Sequence, residues 1–452
     1  MTTPSSPGGH AGVRFSDVRD ITAELGGVTA SENGIHGGHQ TRVVRTPGGT
    51  FAAYITAQTD AMNEFSIMKI NDDGTSRILY QDYQNYDSSS VNIFADSGGT
   101  VYATSLTDDK LSGMNTPEGA FLCIYRVDPV TLEVQGYTAR GEFGESSSYG
   151  YGYSMPVPDF ANRKIYAIFC AGNLPGLFAW FTFDLDTMAW EKDVRTVTLP
   201  SGRHCYLYCF ADGRGGAYVV GQRDVLRASV GKDTFRDADY VWDNWDLFRF
   251  PDMTKEAFTE VRLVDADALY TPEWYPNTGG TSAFLDRDGF LHLLYRVRMY
   301  PASAIHGDTG EIYLGHAVFR DGARLFDRRV GLTYPMQGER RVYDPSMPSG
   351  YCTRLVQTPD ESLYLIALPT SGYAGSTFDT LELWRADDAL GKTWSKIAEK
   401  KLLTVTETMA IDGLAVTGTL PDGVVGVLYH ENTGSGYALR YLTVTLPSRP
   451  AG

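Results

Sequence analysis

Histidine, tyrosine and arginine side chains recur at matching places in a chain that repeats a short motif. Histidine is scarce, with 8 in 452 residues, yet His39 and His204 stand at equivalent positions of two repeats. Tyr151 and Tyr153 precede the turn of a third repeat, and Arg203 adjoins His204. A neutral imidazole or an ionised phenol can abstract a proton, and a second such group can protonate a leaving group. These residue types, brought to one place, predict acid–base catalysis.

The chemistry that such a set suits is β-elimination beside a carboxylate. A base removes the proton α to the carboxyl group of a uronate, and an acid protonates the departing glycosidic oxygen. An arginine at the carboxylate stabilises the charge that develops there. We predict that His39, His204 and Tyr151 are catalytic. The residues predicted to bind the substrate are Gln40, Arg203, Tyr153, Glu273, Trp274, Tyr351, Arg354 and Asp412.

Three function classes stay open at this point. The first is an elimination enzyme, or lyase, acting on oligosaccharides that contain an acidic sugar. The second is a glycoside hydrolase that uses paired carboxylates such as Glu273 and Asp412, with Trp274 stacked on a sugar ring. The third is a non-catalytic propeller that binds sugar or protein, since one fold serves many functions. Arg354 is ambiguous as well, because Arg42 holds the same place in the first repeat and such a pair also fits a structural contact.

The element that must position these residues is a repeated hairpin. Each copy reads as an apolar strand, a tight Asp, Gly or Pro turn, and a second strand. The seven copies lie at 41–50, 94–104, 155–168, 210–220, 284–294, 353–362 and 415–428. One such unit cannot bury its own face, so repeated units stack into a closed array. The pattern predicts an all-β, seven-bladed β-propeller of four-stranded antiparallel sheets.

The last repeat offers only three clear strands, whereas residues 14–23 form a spare extended segment before the first blade. Pairing this segment with the last sheet would close the ring and remove two exposed sheet edges. We therefore predict one propeller domain over 14–447, with a disordered N-terminus at 1–13 and a tail at 448–452. Residues 233–249, rich in Asp and Trp, are interpreted as an insertion after the fourth repeat. Its Trp242–Trp245 pair suits either stacking on a sugar ring or packing under a loop, and its Asp239, Asp243 and Asp246 also fit a solvated insertion.

One segment resembles a motif of a known family. Residues 386–394, ADDALGKTW, resemble the Asp-box turn of sialidase-like propellers, with one extra residue between the Asp and the Gly. Asp388, Gly391, Thr393 and Trp394 fill the key roles of that turn. The resemblance implies a sialidase-like seven-bladed propeller.

The first repeat, HQTRVVRTPGGTFAAY, resembles the opening blade strand of sialidases. There the family has an aromatic–Arg–Ile–Pro motif whose Arg holds the sialate carboxylate, and here His39–Gln40 stand in place of the aromatic–Arg pair. In architecture and in the residue types at the ring, the chain is similar to propeller polysaccharide lyases such as ulvan and rhamnose–glucuronate lyases. That resemblance implies His, Tyr and Arg as the working residues, and an acidic oligosaccharide as substrate.

The charge and the cysteine content of the chain bear on its binding partners and on its cellular compartment. With 55 acidic and 39 basic residues the net charge is −16, which argues against a nucleic acid partner because phosphates require a basic surface. The five cysteines are odd in number and scattered, which predicts buried thiols rather than disulfides. The N-terminal segment lacks the features of a signal peptide. We expect a cytoplasmic protein without membrane segment, metal or cofactor, and the sequence leaves its oligomeric state open.

Overall fold

The computed structural model describes most of the chain as strands and tight turns. The described residues are 12–22, 41–58, 62–85, 91–107, 121–139, 155–171, 176–226, 240–269, 274–301, 312–330, 336–337, 340–341, 352–368, 378–405, 409–413, 420–432 and 437–447. Within these ranges the helical elements are two 3-10 turns, Phe160–Asn162 and Ala266–Leu269. No helix in this part of the chain is long and apolar enough to cross a membrane.

Antiparallel sheets form seven blades, as predicted. Two short segments, β1 (Arg14–Phe15) and β2 (Arg19–Asp20), precede the first blade. Blade 1 contains β3 (Val43–Thr46), β4 (Gly49–Gln58), β5 (Met62–Ile70) and β6 (Ser76–Asn85). Blade 2 contains β7 (Asn92–Ala95), β8 (Val101–Thr107), β9 (Phe121–Val127) and β10 (Val134–Thr138). Blade 3 contains β11 (Met155–Asp159), β12 (Lys164–Ala171), β13 (Gly176–Asp184) and two short outer strands, β14 (Ala189–Trp190) and β15 (Arg195–Leu199).

The second half of the ring continues the same pattern. Blade 4 contains β16 (Arg203–Ala211), β17 (Ala217–Leu226), β18 (Tyr240–Phe250) and β19 (Thr259–Val264). Blade 5 contains β20 (Trp274–Leu285), β21 (Phe290–Pro301), β22 (Ile312–Arg320) and β23 (Ala323–Arg329), and a small hairpin follows it, β24 (Met336–Gln337) with β25 (Arg340–Arg341). Blade 6 contains β26 (Cys352–Gln357), β27 (Leu363–Leu368), β28 (Phe378–Ala386) and β29 (Trp394–Val405). Blade 7 contains β30 (Met409–Ile411), β31 (Val424–Asn432) and β32 (Tyr437–Thr445).

The core consists of apolar layers between neighbouring blades. Alternating strand residues point to the two faces of each sheet, so every blade presents one apolar face to each neighbour. Between blades 3 and 4, for example, Phe178 meets Phe248 edge to face at 4.9 Å, and Trp180 meets Phe250 at 5.4 Å. Comparable buried clusters fill the other blade interfaces, including the one between blades 7 and 1. The packing therefore runs around the whole ring.

The N-terminal segment completes the last blade, as predicted. Strand β1 pairs with β32, with Arg14 opposite Thr445, and β2 pairs further along the same strand. On the inner side, Val43 of blade 1 forms a parallel bridge with Asp412 of blade 7. Arg45 also binds both oxygens of Asp422 in blade 7, at 2.9 and 3.2 Å. Chain segments from both ends thus hold blade 7 in the ring.

The repeated turns show why aspartate recurs in the sequence. Asp96, Asp212 and Asp286 each end an innermost strand, and one carboxylate oxygen accepts a backbone N–H four residues later, at 2.7–2.9 Å. The turn at 386–394 uses the same device, because Asp388 accepts from three backbone N–H groups at 2.9–3.2 Å. These carboxylates satisfy turn amides that would otherwise lack partners, which is the reason Asp favours turns.

Two buried histidines link blades 5 and 6. The Asp286 carboxylate lies 3.3 Å from His292 Nε2, and His292 Nδ1 lies 3.1 Å from His316 Nε2. His316 Nδ1 in turn lies 3.0 Å from the Gly391 carbonyl oxygen in blade 6. Both imidazoles are fully buried. The result is a continuous hydrogen-bonded chain from a blade 5 hairpin to the turn between β28 and β29.

The two ends of this chain decide which ring nitrogens donate. The carboxylate and the carbonyl accept only, so His292 Nε2 and His316 Nδ1 donate to them. Burial and, to a smaller extent, the neighbouring His292 lower the pKa of His316 to about 3. His316 therefore stays neutral near pH 7.

Acid should weaken the fold through His316. Its pKa is about 3 in the fold against 6.5 in the unfolded chain, so between these values the unfolded state binds more protons and stability falls as pH falls. His316→Asn removes this titration but keeps a donor for Gly391. We expect the stability advantage of the wild-type chain over His316→Asn to shrink by up to about 1.4 kcal/mol per pH unit in that window. Urea unfolding across a pH series measures it, and a pH-independent difference would contradict the assignment.

Candidate active site at the start of the innermost strands

The ring has two distinct ends. At the strand-start end the innermost strand of each blade begins, and at the hairpin end it turns into the second strand. The predicted site lies at the strand-start end. Of its residues, those outside the described part of the chain are His39, Gln40, Tyr151, Tyr153, Glu273 and Tyr351, together with the Trp274 side chain, and their roles stay predictions. Arg203, His204, Arg354 and Asp412 are described with their side chains.

Blade 4 carries a row of arginine–aspartate pairs at its strand-start end. Arg203, the first residue of β16, faces Asp224 of β17 and binds its carboxylate. Arg223, the neighbour of Asp224 along β17, holds Asp243 of β18 through two parallel bonds of 2.8 and 2.6 Å. Such two-bond contacts fix the plane of a guanidinium as well as its position. These two pairs, together with the linked residues His204, Asp246 and Arg262 of the same blade, are called the blade 4 charge row.

The aspartates of the row are buried, whereas the arginines reach towards solvent. Asp224 and Asp243 have side chains only 2% and 1% exposed, against 14% and 15% for Arg203 and Arg223. Burial opposes the charge of Arg203, but the Asp224 carboxylate outweighs this effect and raises the pKa of Arg203. The carboxylates therefore act as rigid anchors that hold charged guanidinium groups at the strand-start end of blade 4.

His204 is buried inside the blade and does not line an open surface. Its Nδ1 lies 3.0 Å from the Gly202 carbonyl oxygen, and its Nε2 lies 2.7 Å from Asp246 Oδ2. The ring packs edge to face on Phe248 at 4.8 Å. It reaches Asp246 on β18 by crossing β17 at Gly221, where a Cβ atom would lie 2.9 Å from the Cβ of His204. A glycine is required at this crossing.

Asp246 extends the row to the outer strand. Its other oxygen accepts from Arg262 of β19, whose side chain is 35% exposed. His204, Asp246 and the exposed Glu260 lie close enough to be considered as metal ligands. However, both Asp246 oxygens already have partners, and a guanidinium cation sits beside the place that a metal ion would occupy. The donor set fits a hydrogen-bonded ion pair better than a metal centre.

The sequence did not reveal most of this row. Residues 240–250 form the third strand of blade 4, so the prediction of a solvated insertion over 233–249 is wrong for this part. Asp243 and Asp246 are 1% and 0% exposed. The sequence signal for these two buried aspartates was their spacing of three residues. Between them, at Trp245–Asp246, the pairing of β18 with β19 shifts its register. A plain alternating pattern does not contain such a shift.

Arg354 and Asp412 lie at the innermost strands and connect neighbouring blades. Arg354 is 7% exposed, and its Nη2 donates to the Met409 carbonyl of blade 7 at 2.7 Å. Asp412 is fully buried, and its Oδ1 accepts the Arg45 backbone N–H of blade 1 at 3.2 Å. These contacts give both residues a part in joining blades 6, 7 and 1. A direct role of either residue in substrate binding stays a prediction.

Removing the His204 contact should destabilise blade 4. His204→Ala takes one donor from the buried Asp246 and leaves a cavity, so we expect the free energy of unfolding to fall by about 3 kcal/mol. Gly221→Ala should cost about 1–3 kcal/mol, because the added methyl group would displace His204. Urea denaturation tests both. Gly48→Ala is the matched control, since its nearest atom would lie 3.5 Å away, and equal losses in all three variants would refute the crossing argument.

Comparisons with known proteins support the architecture. No family model and no curated protein matched the chain. Two solved structures of a PL25 ulvan lyase, one of them bound to -[GlcA(1-4)Rha3S]-, are similar over 95% of both chains, with a TM-score of 0.55 and 12% sequence identity. Likenesses to apocarotenoid oxygenase mutants from Synechocystis, with a TM-score of 0.43 at 11% identity over 98% and 96% of the two chains, are too distant to support an argument. The likeness to the ulvan lyase shows a shared propeller fold.

Proposed function

We propose that this protein is a carbohydrate-active enzyme that cleaves an oligosaccharide containing a uronate, by β-elimination at the strand-start end of the ring. The observation that carries the proposal is the blade 4 charge row. It holds the guanidinium groups of Arg203, Arg223 and Arg262 on buried carboxylates, with 14%, 15% and 35% of each side chain exposed. Arg203 is the first residue of the innermost strand, and a fixed cationic donor there suits the carboxylate of an acidic sugar.

The proposed reaction breaks a C–H bond α to the uronate carboxylate. Its electron pair forms a C=C bond, and the C–O bond to the leaving sugar breaks as that oxygen takes up a proton. Charge builds on the carboxylate as the proton leaves, so an arginine already in place lowers the barrier. We assign carboxylate binding to Arg203, and proton transfer to His39 and Tyr151 on the strength of their sequence positions. His204 is assigned a positioning role through Asp246, since both of its ring nitrogens are engaged.

Two further observations support the substrate class. The ulvan lyase that shares this fold has been solved with an oligosaccharide of glucuronate and sulfated rhamnose. The net charge of −16 would repel a long polyanion, which favours short oligosaccharides over intact polymer. Four thiols, Cys123, Cys170, Cys205 and Cys209, are free and buried, and we propose on this basis a reducing compartment, the cytoplasm.

The hydrolase alternative has less support from the described residues. It relies on Glu273 and Asp412, and the Asp412 carboxylate is buried and bonded to the backbone of blade 1. A general acid in a glycosidase has to reach the glycosidic oxygen directly. A non-catalytic propeller would release neither an unsaturated uronate nor a new reducing end.

The decisive assay incubates the protein with a panel of uronate-containing oligosaccharides and follows the ultraviolet absorbance of the unsaturated uronate product. Rising absorbance is the expected result. New reducing ends without that absorbance would replace the proposal with hydrolysis. Binding to the panel by calorimetry, with no product of either kind, would replace it with a sugar-binding propeller.

A double variant tests the role of Arg203 without leaving a buried charge. Arg203→Gln alone would strand the Asp224 carboxylate, which is 2% exposed, so Asp224→Asn is introduced with it to keep a neutral hydrogen-bonded pair. We expect kcat/KM to fall by about 100-fold or more, with the melting temperature little changed. The matched control is Arg163→Gln with Asp186→Asn, an exposed pair in blade 3. Equal activity of both double variants would exclude Arg203 from carboxylate binding.

A further inference from the structure

A cavity occupies the hairpin end of the ring, opposite the end assigned to catalysis. It measures about 710 Å³ and receives residues from blades 1, 2, 3, 4, 5 and 7. This volume lies in the range of small-molecule binding sites, which is roughly 300–1,000 Å³. The cavity is built from the repeated hairpins that join the first two strands of the blades.

The wall is mainly apolar and contains three aromatic rings. Phe94, Phe160 and Phe210 line it, and proline residues of several hairpins add further apolar surface. Phe160 packs against Phe94 with ring centroids 6.3 Å apart, so two of the three rings form one patch. Aromatic faces attract cations as well as apolar groups, because the face of the ring is electron-rich.

The charged groups in the wall do not balance. Arg45 is neutralised by Asp422, which it binds through both oxygens. Asp96 and Asp159 also line the cavity, and their described partners are neutral donors: the Thr100 N–H at 2.9 Å for Asp96, and Asn162 for Asp159. Among the described residues neither of these two carboxylates forms an ion pair. Two carboxylates therefore stand beside the aromatic patch without a salt bridge, and the cation that Asp96 attracts, Arg163, is itself paired with Asp186.

We propose that this cavity is a binding site for a small organic cation, an ammonium group on an apolar or aromatic body. The ammonium group would lie at Asp96, which is partly exposed, and the apolar body would cover Phe94 and Phe160. The negative net charge of the chain adds a long-range attraction for cations. The site does not depend on the proposed lyase activity, because it lies at the other end of the ring.

The test compares a cation with a neutral molecule of the same shape. Phenethylammonium, phenethyl alcohol and phenylacetate are titrated into the full chain by calorimetry. We expect the ammonium compound to bind about tenfold more tightly than the alcohol, and phenylacetate to bind least, because a charged hydrogen bond to Asp96 is worth about one factor of ten in Kd. Equal binding of cation and alcohol, or no binding of any of them, would overturn the proposal.

Three variants locate the site. Asp96→Asn should weaken the ammonium compound about tenfold and leave the alcohol unchanged. Ala211→Leu, in the cavity wall of blade 4, should fill the space and reduce binding of both. Asp193→Asn is the matched control, an exposed aspartate outside the cavity wall. Thermal unfolding checks that each variant is folded. Binding of the ammonium compound that is unchanged in both Asp96→Asn and Ala211→Leu would place the ligand elsewhere and overturn the proposal.

Discussion

Closure of the ring is the constraint on which the other features depend. Each blade buries its two faces only against neighbours, so a missing contact anywhere would expose an apolar sheet face and two edges. The ring closes at blade 7, where the N-terminal and C-terminal parts of the chain meet. Strand β1 pairs with β32 at the outer edge, and Arg45 of blade 1 contacts Asp422 and Asp412 at the inner edge. Once this junction is closed, the strand starts and the hairpins of all blades are held at opposite ends of one axis.

A closed ring also explains why polar groups can be buried between blades at all. The chain from Asp286 through His292 and His316 to Gly391 places a polar imidazole pair in a space without solvent. Such a group is costly unless every donor has an acceptor, and here both ends of the chain supply one. The acceptors come from different blades, so the hydrogen bonds are satisfied only when blades 5 and 6 are packed in their final positions. The polar chain therefore fixes how these two blades meet.

The fold could be predicted because its signal is repeated and local. Turn residues such as Asp96 and Asp286 mark the hairpins in the sequence. The spare extended segment at 14–23 predicted the strand that completes blade 7. The candidate site was harder, because its partners lie far apart in the sequence. His204 and Asp246 are separated by 42 residues, and their contact depends on Gly221 and on a bulge after Cys205 where Tyr206 has a φ of 52°. The bulge changes which residues face inward, so alternation from the hairpin did not reveal that His204 is buried.

The two ends of the ring differ in why their charges are present. Asp96 and Asp286 at the hairpin end accept turn amides, so those carboxylates have a role in folding. The Arg203–Asp224 and Arg223–Asp243 pairs at the strand-start end satisfy no turn. Burying a carboxylate is costly, and a buried pair usually stabilises a fold no better than apolar residues of the same size. Stability therefore does not explain why blade 4 places such pairs at its strand-start end, whereas the carboxylate binding that we propose for Arg203 would use a charged guanidinium held in a fixed position.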